Sequence, residues 1–314
     1  MMKHRSLFVA LAVAACTPGV QVGTGPSNIT ANVNRMSADV RTVASDAFQG
    51  RAPATPAEEL TVNYIRDQLK AAGLEPGGPN GSWFQEVPLT QSDIVGTPSL
   101  SVTVAGQTVP LTQGQQVAIR ASMQNVDRVN ITNAPIVFLG YGVKAPERNW
   151  DDFKGADLRG KIGLVLVNDP DFETGKGDFG GKAMTYYGRW TYKYEEAARQ
   201  GLAGRRVMHE TGPASYGWAT VKNSNTNTMF DILRANPNEV HPLLEGWVQR
   251  DDAVRLLSAV GQDFEALKKL AQTREFRPVQ LAGATFSASY PVSRKIIRSR
   301  NVLGRLRGST RPSE

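Results

Sequence analysis

Three histidines, one cysteine and 29 acidic residues are the material from which this chain of 314 residues could build a reactive centre. Two-metal hydrolysis needs ions ~3.5–4 Å apart, held by inward-pointing histidines and carboxylates, with a further carboxylate as general base. The histidines do not fall into that pattern. His4 lies in an N-terminal basic patch, His209 is followed by Glu210-Thr211, and His241 by Pro242-Leu243. None begins a His-x-Asp or a His-Glu-x-x-His pair. His209 and His241 therefore read as structural or surface residues. Glu195-Glu196 lies in a segment with helical spacing and reads as a solvated helix face. No catalytic, cofactor-binding or metal-ligating residue is assigned in this chain.

Other chemistries fit no better. Pro213-Ala214-Ser215-Tyr216-Gly217 approximates the Gly-x-Ser-x-Gly nucleophile elbow, but Pro213 replaces the first glycine and no strand-to-helix context is expected. Gly175-Lys176-Gly177-Asp178-Phe179-Gly180 satisfies Gly-x-Gly-x-x-Gly. It follows Pro170, beyond the end of its strand, and Asp169, Asp171, Glu173 and Asp178 would repel a phosphate, so it reads as a solvent loop. Lys182 is followed by alanine, which removes the phosphate-binding Lys-Ser/Thr pattern. Tyr186, Tyr187, Trp190, Tyr192 and Tyr194 could line a peptide surface, but such rings more often bury against a sheet. Seven basic residues fall between Arg294 and Arg311 with no acid among them. Arg298 with Arg300, and Arg305 with Arg307, alternate as on one strand face, and this run does not call for a nucleic-acid partner.

The N-terminus carries an address rather than a reaction. Lys3, His4 and Arg5 precede the apolar run Leu7 to Ala15, which is too short for a permanent span of ~20 residues but has the size of a secretory signal. Val13-Ala14-Ala15-Cys16 resembles a bacterial lipobox, which makes Cys16 the expected lipid-attachment residue. A lone cysteine has no internal disulfide partner. The expected location is the periplasm or the outer membrane, with a lipid anchor as the membrane contact; no aspartate follows Cys16 to suggest inner-membrane retention. Loss of Lys3 and Arg5 with the signal would lower the net charge from +7 to about +5. The 40% hydrophobic and 21% charged content is that of a globular fold.

The elements follow from periodicity. Residues 17 to 28 read as a tether rich in Gly, Pro, Ser and Thr. Ile29, Val33, Met36, Val40 and Val43 recur at helical spacing. Thr55-Pro56-Ala57-Glu58 is a capping box opening a second helix, with Val62, Ile65, Leu69 and Ala72 on its apolar face and Gly73 at its end. Strands are expected at 100–104, after a turn at 108–109, at 135–139, 162–167 and 204–209, and near 279–287 and 296–303. Helices are expected over 189–200, 251–260 and 263–271. The fold class is α+β.

An ordered set of segments resembles the bacterial zinc aminopeptidases of metallopeptidase family twenty-eight that carry a protease-associated (PA) domain. It runs from Ala44-Ser45-Asp46-Ala47-Phe48-Gln49-Gly50-Arg51 through Gly73-Leu74-Glu75-Pro76, Phe138-Leu139-Gly140-Tyr141-Gly142-Val143 and Asn149-Trp150-Asp151-Asp152-Phe153. It continues with Asp157-Leu158-Arg159-Gly160-Lys161, Asn168-Asp169-Pro170, Tyr194-Glu195-Glu196-Ala197-Ala198, His209 to Tyr216 and Asn301-Val302-Leu303-Gly304. The resemblance spans residue 36 to the end. It departs at Arg205-Arg206, where apolar strand residues are expected, and at Arg307, where relatives tend to have proline.

The resemblance implies a division into a signal peptide (1–15), a tether (16–28), N-terminal helices belonging to the peptidase domain (29–80), a β-rich PA-containing region with peripheral helices (81–290), and the first strand of an α/β zinc-peptidase domain (291–314). In such enzymes two zinc ions hydrolyse N-terminal residues from peptides, and their ligands follow the strand at Val302. The chain is then expected to be an N-terminal fragment, inactive alone. The alternative is a membrane-anchored, non-catalytic binding module.

Overall fold

The computed structural model describes residues 30–308. The expected signal, the tether, Cys16, Ile29 and Arg311 lie outside them. The chain divides into two compact units, residues 1–50 and 51–314.

In the first unit, helix α1 (Val33–Val43) starts where the Asn32 side chain accepts a hydrogen bond from the Arg35 N–H at 3.0 Å. Its apolar residues Val33, Met36 and Val40 are exposed.

The second unit opens with α2 (Pro56–Ala71), capped by Thr55 as expected and ended by Gly73 at φ +83°. The strands β1 (Glu75–Pro76), β2 (Phe84–Ile94), β3 (Ser99–Val104), β4 (Gln107–Pro110), β5 (Val117–Ile119) and β6 (Arg128–Phe138) follow. Next come the short β7 (Lys144–Ala145) and β8 (Trp150–Asp151), then β9 (Ile162–Leu166), α3 (Trp190–Arg199) and β10 (Gly204–His209). The chain continues through α4 (Thr211–Ala214), α5 (Trp218–Asn225), β11 (Met229–Ile232), β12 (Leu244–Gln249), α6 (Arg250–Ala259), α7 (Phe264–Leu270), β13 (Val279–Val302) and β14 (Gly304–Arg305). The mixture of helices with a mixed sheet agrees with the α+β expectation. Among the described residues no helix is long and apolar enough to cross a membrane.

One ten-stranded sheet dominates, in the order β11-β2-β13-β6-β9-β10-β12-β5, with β3 paired to β13 and β4 on its outer edge. The centre β6-β9-β10-β12 is parallel and the flanks are antiparallel. Parallel strands are covered on both faces, and these obey that rule. Ile136, Phe138, Leu164, Leu166, Met208 and Val248 face one core with α6 and α7; Val137, Val165, Val207 and Trp247 face another with α3 and α5.

Two strands were expected near 279–287 and 296–303. They are one strand of 24 residues. Its first part is held by β6 on one edge and β3 on the other, and from Val292 onward it pairs with β2. The register with β6 shifts between Gln280 and Thr285, where Gly283 takes φ +76°, a bulge that bends the strand without ending it. The strand runs unbroken through residues 290 and 291.

Candidate functional site

The carboxyl ends of parallel strands are where an α/β sheet offers a crevice. Here the ends of β10 and β12 bring together His209, Glu210, Gln249 and Arg250. Lys268 bridges Glu210 at 2.9 Å and Glu173 at 2.7 Å, and Arg250 stands 3.5 Å from Glu210. The His209 Nε2 lies 2.9 Å from the Tyr216 carbonyl, and the ring is boxed by Tyr216, Trp218 and Trp247. His209 is a buried structural residue.

Ser215 follows the four-residue α4 and takes φ +67°, so it stands at a helix end rather than on a strand-to-helix turn. The nucleophile elbow does not form.

The glycine-rich segment is more than a solvent loop. Phe179 is fully buried, edge-on to Trp150 and Tyr187. The Asp171 carboxylate, inside the loop, accepts the N–H groups of Phe179 and Gly181. Those N–H groups are taken by the carboxylate rather than free to cradle a phosphate.

Helix α3 also departs from expectation. Glu196 is buried, not solvated, because it accepts from Arg199 Nε and from the Gln200 amide at 2.7 Å each. Its neighbour Glu195 accepts from the Tyr186 hydroxyl at 2.6 Å. The aromatic group splits: Tyr192 and Tyr194 are buried, Tyr186 is exposed, and Trp190 is half-buried at the surface.

Arg205 and Arg206 are both buried in mid-strand. They point to opposite faces, Arg205 over Phe153 and Arg206 over Phe286 at 4.3 Å. Burial pulls each guanidinium down to about 10. A Cβ at Gly142 would stand 2.0 Å from Arg205 Nη2, so that glycine leaves the space the Arg205 guanidinium fills. Lys193 is buried beside Arg205, donating to the carbonyls of Tyr141 at 2.7 Å and Tyr187 at 3.2 Å. Burial, reinforced by Arg205, lowers its pKa, and burial raises that of the nearby Asp152.

Four arginines of the basic C-terminal run form ion pairs. Arg298 meets Glu86, Arg300 meets Glu59, and Arg305 and Arg307 both meet Glu75.

His241 belongs to a cleft of about 170 Å³ beside α3. Its Nδ1 lies 2.7 Å from Glu245 and its Nε2 2.8 Å from Asp231. Burial opposes its charge, but the two carboxylates outweigh burial and raise its pKa to about 9. Asp231 is correspondingly held down at about 2, burial being overcome by His241 and Arg234. Arg120 pairs with Glu245 at 2.9 Å and lies 4.9 Å from the Trp190 ring. The sequence pointed to His241 alone. Arg120, Asp231, Arg234 and Glu245 carried no signal in the sequence.

Among the described residues, no group of three or more His, Cys, Asp and Glu is arranged to hold a metal ion. The chemistry of the donors agrees: both nitrogens of His241 are committed to carboxylates, and a protonated imidazole has no lone pair for zinc. These residues do not fit a zinc pair.

No family model matches the chain, and no curated protein matches it. Among solved structures the chain is similar to the aminopeptidase from Aneurinibacillus sp. strain AM-1, with a TM-score of 0.39 and 15% identity. That alignment covers 88% of this chain and 48% of the other, so the chain spans about half the length of the structure it matches.

Proposed function

We propose that this chain is the PA-domain-containing front portion of an exported zinc aminopeptidase, and that it does not hydrolyse peptides by itself. The observation that carries this reading is the ordered set of motifs between Ala44 and Gly304. The set combines glycine turns, the Asn149 to Phe153 corner and the closing strand in one fixed order. In this reading, zinc and catalysis reside outside residues 30–308, and the described region shapes peptide access. The basic patch, the apolar run and Cys16 support export and lipid anchorage.

Three experiments test it. The nucleotide sequence after the codon for Glu314 should encode a strand followed by His-x-Asp within about 20 residues, in one of the three frames. A stop with no such motif downstream would overturn the family reading. The purified chain should hold no stoichiometric zinc and leave an aminoacyl anilide intact; zinc-bound protein with chelator-sensitive cleavage would overturn the inactivity. Metabolic labelling with palmitate tests the anchor, with C16S expected to abolish incorporation.

A further inference from the structure

The floor of the cleft beside α3 is a row of five charges that alternate in sign: Arg120, Glu245, His241, Asp231 and Arg234. The row begins and ends on arginine, so it carries one net positive charge while His241 is protonated. Glu195, the remaining carboxylate of the lining, is engaged by the Tyr186 hydroxyl at 2.6 Å and lies 3.7 Å from Arg199. Counted with the row, it brings the lining to three positive and three negative groups while His241 is protonated.

The two arginines are not used up. Arg120 donates through Nε to the Met229 sulfur at 3.1 Å and through Nη1 to Glu245. Arg234 donates through Nε to Asp231 at 2.8 Å. Among the described residues, no acceptor reaches Nη2 of Arg120 or either terminal nitrogen of Arg234. Spare guanidinium N–H groups at both ends of the row suit an oxyanion, and the two terminal nitrogens of Arg234 match a carboxylate with two parallel bonds. The walls are apolar: Trp190, held by its stacking on Arg120, and Phe230, 39% exposed. About 170 Å³ is below the ~300 Å³ of a pocket that encloses a whole small ligand. It suits the end of a chain.

We propose that this cleft binds the C-terminal carboxylate of a peptide whose last side chain is apolar. The carboxylate lies between Arg120 and Arg234, and the side chain rests on Trp190 and Phe230. The binding needs neither zinc nor hydrolysis, so its outcome is separable from that of the peptidase reading.

Titration calorimetry on the full chain near pH 7 tests this with four probes. N-acetylphenylalanine should bind at least tenfold more tightly than N-acetylphenylalaninamide, which lacks the carboxylate. It should also exceed N-acetylglutamic acid α-amide, whose carboxylate is on the side chain, and inorganic phosphate. R234Q should weaken binding of N-acetylphenylalanine about tenfold, and W190A should weaken it while leaving phosphate unaffected. Circular dichroism and a melting curve confirm that each variant is folded; Arg234 is exposed enough for R234Q to serve if W190A is not. Equal binding of acid and amide, no binding of the acid, a preference for glutamate or phosphate, or indifference to R234Q overturns the proposal.

Discussion

Glu58, in the first turn of α2, accepts the backbone N–H of Arg300 on β13 at 3.2 Å, across 242 positions of sequence. The same carboxylate takes the Ala54 N–H at 2.5 Å with its other oxygen and also accepts from the Ser299 hydroxyl. A residue recognisable as part of a capping box thus also satisfies the edge of the long strand where β6 no longer pairs with it.

E58A should therefore cost more than a cap alone. A lost cap is worth ~1 kcal/mol, and hydrogen bonds to a charged group ~1.5–3 kcal/mol. We expect a loss on the order of 2–3 kcal/mol, seen as a drop of roughly 5–10 °C in the thermal midpoint. A loss below about 0.5 kcal/mol would show that the strand edge is satisfied without Glu58.

The His241 network makes stability depend on alkaline pH. Its pKa is about 9 in the fold against an ordinary 6.5, so folding favours the protonated ring. The contribution is fully present below pH 6.5 and is lost as pH rises through about 9. Its size is on the order of 3 kcal/mol. Denaturant midpoints of the parent and H241Q should converge between pH 7 and pH 10. A gap that stays constant over that range would rule out the linkage.

Arg206 is a buried cation whose Nε and Nη2 have no hydrogen-bond partner. The ring of Phe286 offsets part of that cost, since a desolvated cation–π contact is worth ~2 kcal/mol. Replacing an uncompensated buried charge by an apolar chain of similar length tends to stabilise. R206M should raise the unfolding free energy, measured by denaturant titration, by about 1–3 kcal/mol; a fall would mean that the guanidinium contributes more than it costs.

Gly142 leaves room for the other buried arginine. It takes φ +61°, and a Cβ there would stand 2.0 Å from Arg205 Nη2 and 3.0 Å from Val165. G142A combines backbone strain with overpacking and should destabilise by about 2–4 kcal/mol. Adding R205L should recover part of that loss, because the clash is removed while the strain remains. Strictly additive effects in the double variant would show that the two sites do not touch.

The basic run on β13 and after it should not retain nucleic acid. Arg298, Arg300, Arg305 and Arg307 are paired with Glu86, Glu59 and Glu75, and exposed pairs of this kind contribute at most ~1 kcal/mol each. No mobility shift of a DNA duplex is expected at physiological salt; a shift that weakens steeply with added salt would overturn this.

The sequence by itself determined the elements whose signals are local. Thr55, Pro56 and Gly73 delimit α2, Asp263 caps α7 at the Ala266 N–H, and the apolar run at β9 marks a strand buried on both faces. Each depends on residues within one turn or one pleat of each other. Tertiary structure decided what depends on partners far along the chain. Strand β2 carries Pro88 and polar residues and is held as a strand by β13 and β11. Glu196 has the composition of a surface residue, yet the sheet behind α3 buries it. Arg205 has room in a core because Gly142, on the loop after β6, stands beside it, and Arg206 lies over Phe286 from a strand 80 positions on. The cleft joins Arg120 to Glu245 across 125 positions, and no periodicity in the sequence records such a pairing. Local spacing encodes backbone geometry and one-sided burial; the charge pairs and cavities arise only when the sheet brings distant strands into register.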